Sequence, residues 1–123
     1  MKLNHDCIRE VMLYLEENLD IGDTIDVDEI ELAEYNKNDV TYSVAKLYEA
    51  GYISGKITNS FTHSYSGFVS GITWEGHKFL DTIRDNKVWS MTKNVLSKVS
   101  SASITFASTV ASQILTNLIS NSM

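Results

Sequence analysis

The sequence contains no proline and a single cysteine, Cys7. Turns must therefore be made with Gly, Asn and Asp, and no disulfide can form within the chain. The first residues show no signal-peptide pattern, which together with the single cysteine predicts a cytoplasmic protein. With 123 residues, of which 43% are hydrophobic, the chain is long enough for one domain with a substantial core.

Basic residues are scarce in the first third of the chain. Residues 1–35 hold eleven acids against two bases, whereas residues 36–123 hold five acids against eight bases. Because affinity for nucleic acids comes mainly from Lys and Arg on phosphates, the net charge of −6 argues against nucleic-acid binding as the main role. The run of acids indicates either a solvated strand edge that resists aggregation or a surface that binds a basic partner. The residues proposed for partner binding are Asp23, Asp26, Asp28, Glu29, Glu31 and Glu34.

The chain is organised around the stretch NKNDVTYSVAKLYEAGYI, residues 36–53. Asn36 is a good N-cap, and Val40, Val44 and Leu47 form an apolar stripe at helical spacing. Gly51 can end the helix in the left-handed conformation, after which a strand begins. A helix followed at once by a strand is typical of a winged-helix core, in which this helix reads DNA.

The segment before this helix is less typical. It alternates acidic and apolar residues, so the support helix of a helix-turn-helix is either reduced to about one turn within residues 28–33 or replaced by a strand. The alternation favours the strand, in two short pieces around Val27 and Leu32.

The remaining pattern completes an α+β, winged-helix-like fold. A first helix is predicted from Asn4 to about Leu19, and a hairpin from residues 52–57 and 67–73. The connection between these strands, NSFTHSYS, with Phe61, His63 and Tyr65, would be the wing. Residues 1–85 would form the winged-helix-like domain, and residues 86–123 a helical C-terminal extension.

Residues 102–123 contain no charged side chain. The stretch is too rich in Ser, Thr, Asn and Gln for a membrane span, so it is predicted to be a helix that packs on its own domain or on another copy. We expect a homo-oligomer, with an interface formed by Ile104, Ala107, Ala111, Ile114, Leu115 and Leu118.

Four stretches carry a resemblance to a known family: MKLNHDCIREVMLYLEEN, YNKNDVTYSVAKLYEAGYI, GITWEGHKFLDTIRDNKVW and the helical tail. From Met1 to about Val99 the chain resembles a domain-of-unknown-function family (family 2513) of short proteins from phages, prophages and Gram-positive bacteria. The resemblance implies a winged-helix-like fold and an association with mobile elements. It implies no catalytic residues.

The residues that could carry chemistry are scattered. His5, His63, His77 and Cys7 lack metal-ligand spacing, and no nucleophile elbow, phosphate loop or pair of catalytic carboxylates is present. The sequence therefore predicts neither an enzyme nor a cofactor or metal site.

Two classes of function follow. The first is a non-enzymatic interaction module of a mobile element, such as an inhibitor of a host defence protein, which acts through the acidic residues. The alternative is a small DNA-binding transcriptional regulator. Its contacts would come from Lys37, Asn38, Thr41, Tyr42, Lys46 and Lys56, on a face that also exposes Ala45. The acidic balance and the missing support helix favour the first class, whereas the organising helix and the wing favour the second.

Overall fold

The computed structural model describes residues 2–59 and 65–121. In chain order this part contains α1 (His5–Asn18), β1 (Ile25–Asp26), a 3₁₀ turn (Val27–Glu29), α2 (Lys37–Glu49), β2 (Ile53–Asn59), β3 (Tyr65–Ile72), α3 (Trp74–Ile83), α4 (Asn86–Leu96) and α5 (Ile104–Asn121). The α+β class with a helical C-terminal extension is confirmed. Within the described ranges, no helix is long and apolar enough to cross a membrane.

The first helix forms as its pattern predicts. The Asn4 side chain accepts a hydrogen bond from the Cys7 amide at 3.1 Å, which satisfies one of the free donors of the first turn. The side of α1 that faces the core carries Cys7, Ile8, Val11, Met12 and Leu15, all of them buried. The helix is therefore held by one apolar stripe and one cap, both of which are local features of the sequence.

The three strands form an antiparallel sheet in the order β1-β3-β2. The predicted hairpin is confirmed, since Ile53 at the start of β2 pairs with Ile72 at the end of β3. A bulge lies between Ser54 and Gly55. The predicted wing, with Phe61 and His63, falls mostly on residues outside the described ranges.

The acidic segment differs from the expected pair of β pieces. Only Ile25 and Asp26 form a strand, and the second predicted piece around Leu32 does not belong to the described sheet. The Asp26 side chain accepts from the Asp28 amide at 3.0 Å, and this local bond turns the chain into the 3₁₀ turn. One short strand and one helical turn thus take the place of the support helix. The segment therefore combines the two predicted alternatives, a reduced helix and a strand.

Helices α3, α4 and α5 complete one core with the rest of the chain. Val88 and Trp89 of α4 and Ile104 of α5 belong to the same cluster of buried side chains as α1, α2 and the sheet. Residues on both sides of the predicted boundary at residue 85 therefore share a core.

The position of α5 changes the expected interface between copies. Ala107 and Ala111 are 0% exposed and Ile104 is 4% exposed, because α5 packs on α3 and α4 of its own chain. These three side chains are not accessible to a second copy in this fold, which corrects their assignment. Ile114, Leu115 and Leu118 are only partly buried against the core. Self-association through them stays a prediction.

Candidate protein-interaction surface

The helix expected to read DNA is buried on more sides than its sequence pattern indicated. The Asn36 side chain caps α2 by accepting from the Asp39 amide at 2.8 Å, as predicted. Ala45, which was expected on the exposed face, is only 1% exposed, and that expectation was wrong. Near the end of α2, Leu3, Ser103 and Ile104 come from distant parts of the chain and line a groove with Lys46, Glu49 and Ala50. A reading helix needs a protruding face, and here part of that face is covered.

The lysines of the DNA alternative are largely engaged within the protein. Lys46 forms a salt bridge with Glu49 at 2.9 Å and lies 5.2 Å from the Tyr42 ring centroid. The bond with Glu49 raises the pKa of Lys46. The Lys37 ammonium donates to the backbone carbonyls of Asp28 and, at 3.1 Å, of Ile30. Two of the three bases therefore have partners inside the molecule.

The other residues of this alternative are spread over two elements. Asn38 is exposed on α2, whereas Thr41 and Tyr42 are half-buried. Lys56 is exposed on β2, where it pairs in register with Phe68 of β3. Of the three bases, Lys37 and Lys56 are exposed and Lys46 is half-buried and paired with Glu49, so few free cations are available for phosphate contacts.

The six proposed partner-binding acids lie on the surface and are exposed. Ile25, Val27 and Ile30 alternate with them and are buried, so burial of the apolar side chains directs the carboxylates outward. Within residues 2–59 and 65–121 no salt bridge involves any of the six. We call Asp23, Asp26, Asp28, Glu29, Glu31 and Glu34 the acidic surface. Concentrated charge of one sign attracts a surface of the other sign and speeds its encounter.

An apolar groove lies beside the acidic surface. The Tyr35 amide donates to the Leu32 carbonyl at 3.1 Å, which makes a tight turn just before α2. The groove beside this turn has a volume of about 390 Å³. We call it the Leu32 groove. Its apolar lining comes from Ile30, Leu32, Ala33, Tyr35 and Val40, and the charged side chains in its lining are Glu31 and Lys37. No local sequence pattern predicts this groove, because its walls come from a loop and a helix that meet only in the fold.

Carboxylates from two parts of the chain act on one side chain of the groove wall. Burial raises the pKa of the Tyr35 phenol, and the carboxylates of Asp6, Glu10 and Glu34 raise it further. Asp6 and Glu10 belong to α1, whereas Glu34 belongs to the acidic surface.

Of the residues considered for chemistry, His5, Cys7 and His77 lie in the described ranges and His63 lies outside them. His5 Nε2 lies 3.1 Å from the Ala102 carbonyl oxygen and ties α1 to the connection before α5. Cys7 is buried, and burial raises the pKa of its thiol, which disfavours the reactive thiolate. Over the described part of the chain, no group of three or more His, Cys, Asp or Glu could hold a metal ion.

Fold and surface together define a small α+β protein with an acidic surface beside an apolar groove. The sequence matches the model of the family described as "Hypothetical protein (DUF2513)" over residues 2–103, and the chain belongs to this family. The match ends just before α5, so that helix lies outside the part matched to the family model.

A relative with a related sequence occurs in Haemophilus influenzae (strain ATCC 51907 / DSM 11121 / KW20 / Rd). This "Uncharacterized protein" is 31% identical over 96 residues, which cover 78% of the present chain and 79% of the relative. No solved structure matches the chain.

Proposed function

We propose that the protein is a non-enzymatic interaction module that binds a basic surface of another protein. The observation that carries this proposal is the acidic surface, whose six exposed carboxylates form no salt bridge in the described part of the chain. The burial of Ile25, Val27 and Ile30 keeps these carboxylates in place. Charge fixed in this way steers a basic partner and sets its orientation.

The partner that fits best is a nucleic-acid-handling protein of the host cell cytoplasm, such as a defence nuclease. A protein of that kind carries Lys and Arg along the path of the phosphates, and an acidic protein can occupy the same path. The family resemblance implies an association with phages and mobile elements, and inhibition of a host defence protein would benefit such an element.

A DNA-binding regulator is the second candidate, because of the order of the elements. Helix α2 comes directly before the β2–β3 hairpin, and the sheet order is β1-β3-β2, an arrangement that resembles a winged helix. The burial of Ala45 and the engaged Lys37 and Lys46 rank this function below the first.

The decisive experiment compares two variants that remove the same amount of charge. The first changes Asp26, Asp28, Glu29 and Glu31 to Asn or Gln; Asn at position 26 keeps an oxygen for the Asp28 amide. The control changes Glu17, Glu49, Glu75 and Asp81, which are exposed and lie outside the acidic surface. Each protein is immobilised on a support and exposed to host lysate, and the proteins it captures are identified. The association rate of each captured protein is then measured at low and high salt.

We expect the wild type and the control variant to capture the same basic protein. The first variant should associate at least about tenfold more slowly and with a weaker dependence on salt. Equal association rates for all three proteins would refute the proposal. The alternative function as a regulator would instead be supported by submicromolar binding, in physiological salt, to the DNA upstream of the protein's own gene. This binding should be lost in the Lys46→Ala variant.

A further inference from the structure

We infer that the Leu32 groove is the anchor site for the partner, and that it accepts one bulky apolar side chain from a Lys- or Arg-rich segment. The inference rests on the proposed function, because the acidic surface supplies the attraction. It adds the place of contact and the chemistry of the segment that enters it.

The shape and lining of the groove fit an apolar anchor. Its volume of about 390 Å³ is within the range of roughly 300–1,000 Å³ that is typical of ligand pockets. Ile30 and Val40, 0% and 1% exposed, belong to the buried core. Leu32 and Tyr35 are half-buried and pack against that core. An inserted apolar side chain would therefore cover Leu32 and Tyr35, which the chain itself leaves half exposed. Anchor residues at interfaces are buried in pockets in the same way.

The charges around the groove select a basic segment. Glu31 lines the groove and Glu34 lies in the adjoining turn, and Asp6 and Glu10 act on the Tyr35 ring. The one base in the lining, Lys37, donates to the carbonyls of Asp28 and Ile30. A Lys or Arg on either side of the anchor would meet carboxylates that outnumber this single ammonium. A second copy of this chain, with its net charge of −6, fits less well.

The test uses a fluorescent amphipathic peptide of Lys and Leu as the probe. A second peptide, with every Leu replaced by Ser, has the same charge and no anchor. Binding of both to the full chain is followed by fluorescence anisotropy. Ala33→Trp fills the groove from its exposed wall, and Ala50→Trp, at the exposed end of α2, is the matched control.

We expect the Leu peptide to bind the wild type at least about tenfold more tightly than the Ser peptide. Ala33→Trp should remove this advantage and Ala50→Trp should retain it. In the wild type, the Leu peptide should shift the methyl resonances of Ile30, Leu32 and Val40 and leave those of Ala107 and Val110 unchanged. The methyl shifts decide the question if Ala33→Trp does not fold.

Two failures are distinguishable. If both peptides bind equally and the methyl resonances of the groove do not shift, the anchor site is refuted. Binding of a basic partner by the acidic surface would then still be supported. If neither peptide binds and neutralising the acidic surface changes no partner association, the anchor and the proposed function fall together. A Leu-peptide complex that contains two copies of the chain would also refute the single-anchor site.

Discussion

At the scale of single residues, Gly76 shows how closely two backbones approach. A Cβ at this position would lie 1.9 Å from the Tyr52 carbonyl oxygen. The same oxygen accepts from the Thr73 amide at 3.1 Å, so it cannot move aside without loss of that bond. Thr73 also donates its hydroxyl to the Gly51 carbonyl at 2.6 Å and caps α3 by accepting from the Gly76 amide. The start of α3 and the end of α2 are therefore joined through a few fixed atoms.

We predict that Gly76→Ala lowers the free energy of unfolding by about 1–3 kcal/mol, because the added methyl forces two backbones apart. Gly71→Ala is the control, since the nearest atom to its Cβ would be the Ser54 hydroxyl oxygen at 3.3 Å, which can rotate away. Urea denaturation monitored by circular dichroism measures both. Equal losses in the two variants would contradict the close approach at Gly76.

At the scale of elements, Arg9 of α1 joins three helices. Its Nε donates to the Ile83 carbonyl at 2.8 Å, and one terminal nitrogen donates to the Arg84 carbonyl at 2.8 Å and to the Asn86 side chain at 2.9 Å. Carbonyls at the end of a helix lack intrahelical donors, and a guanidinium supplies several at once. The guanidinium also lies 5.9 Å from the Trp89 ring centroid. This one side chain thus fixes the end of α3 and the start of α4 against α1.

We predict that Arg9→Met lowers the free energy of unfolding by about 2–3 kcal/mol, since charged hydrogen bonds to buried or terminal carbonyls are lost. Arg84→Met is the control, because it removes two parallel bonds to the Glu16 carboxylate and a bridge to Asp81, a partly exposed surface network expected to contribute about 1 kcal/mol. Thermal and urea unfolding of both variants give the comparison. A larger loss for Arg84→Met would show that the bridge, and not the Arg9 contacts, holds α1 to α3.

At the scale of the whole molecule, α5 belongs to the core although it follows the part matched to the family model. Ile104, Ala107 and Ala111 face α3 and α4, and small side chains at positions 107 and 111 permit close approach of the helices. Ala107 and Ala111, which the sequence suggested for contact between copies, make contact within one chain. Leu115 and Leu118, which are only partly buried, are the part of the predicted interface left for self-association.

We predict that Ala111→Asp destabilises the whole chain by about 3 kcal/mol or more, which corresponds to a fall of roughly 10 °C in melting temperature, because it buries an unpaired charge. Ser112→Asp, on the exposed neighbouring position, should have little effect. Calorimetry gives the melting temperatures. An unchanged melting temperature for Ala111→Asp would mean that α5 does not pack on its own chain in solution.

Light scattering on the wild type and on a Leu115→Asp, Leu118→Asp double variant tests self-association separately. If α5 also binds a second copy, Leu115→Asp combined with Leu118→Asp should convert an oligomer into a folded monomer. A wild-type mass of one chain at tens of micromolar would refute the homo-oligomer.

Much of the fold could be predicted from the sequence, because the signals are local. The caps Asn4 and Asn36 lie within three residues of the amides they bind, and the apolar stripes of α1 and α2 follow the helical period. The β2–β3 hairpin follows from apolar runs on either side of a polar connection. The exposure of the acidic surface was also predictable, since isolated carboxylates are rarely buried.

Contacts between distant parts of the chain decided the rest. Ala45 is 1% exposed although the pattern of α2 placed it on the outer face, and α5 turns its apolar stripe inward because α3 and α4 offer a matching face. Lys37 reaches back nine residues to the Asp28 carbonyl, which helps to hold a turn where alternation predicted a strand. The Leu32 groove exists only where that turn meets α2. Periodicity reports which side of an element is apolar, but which element covers that side depends on packing across the whole chain.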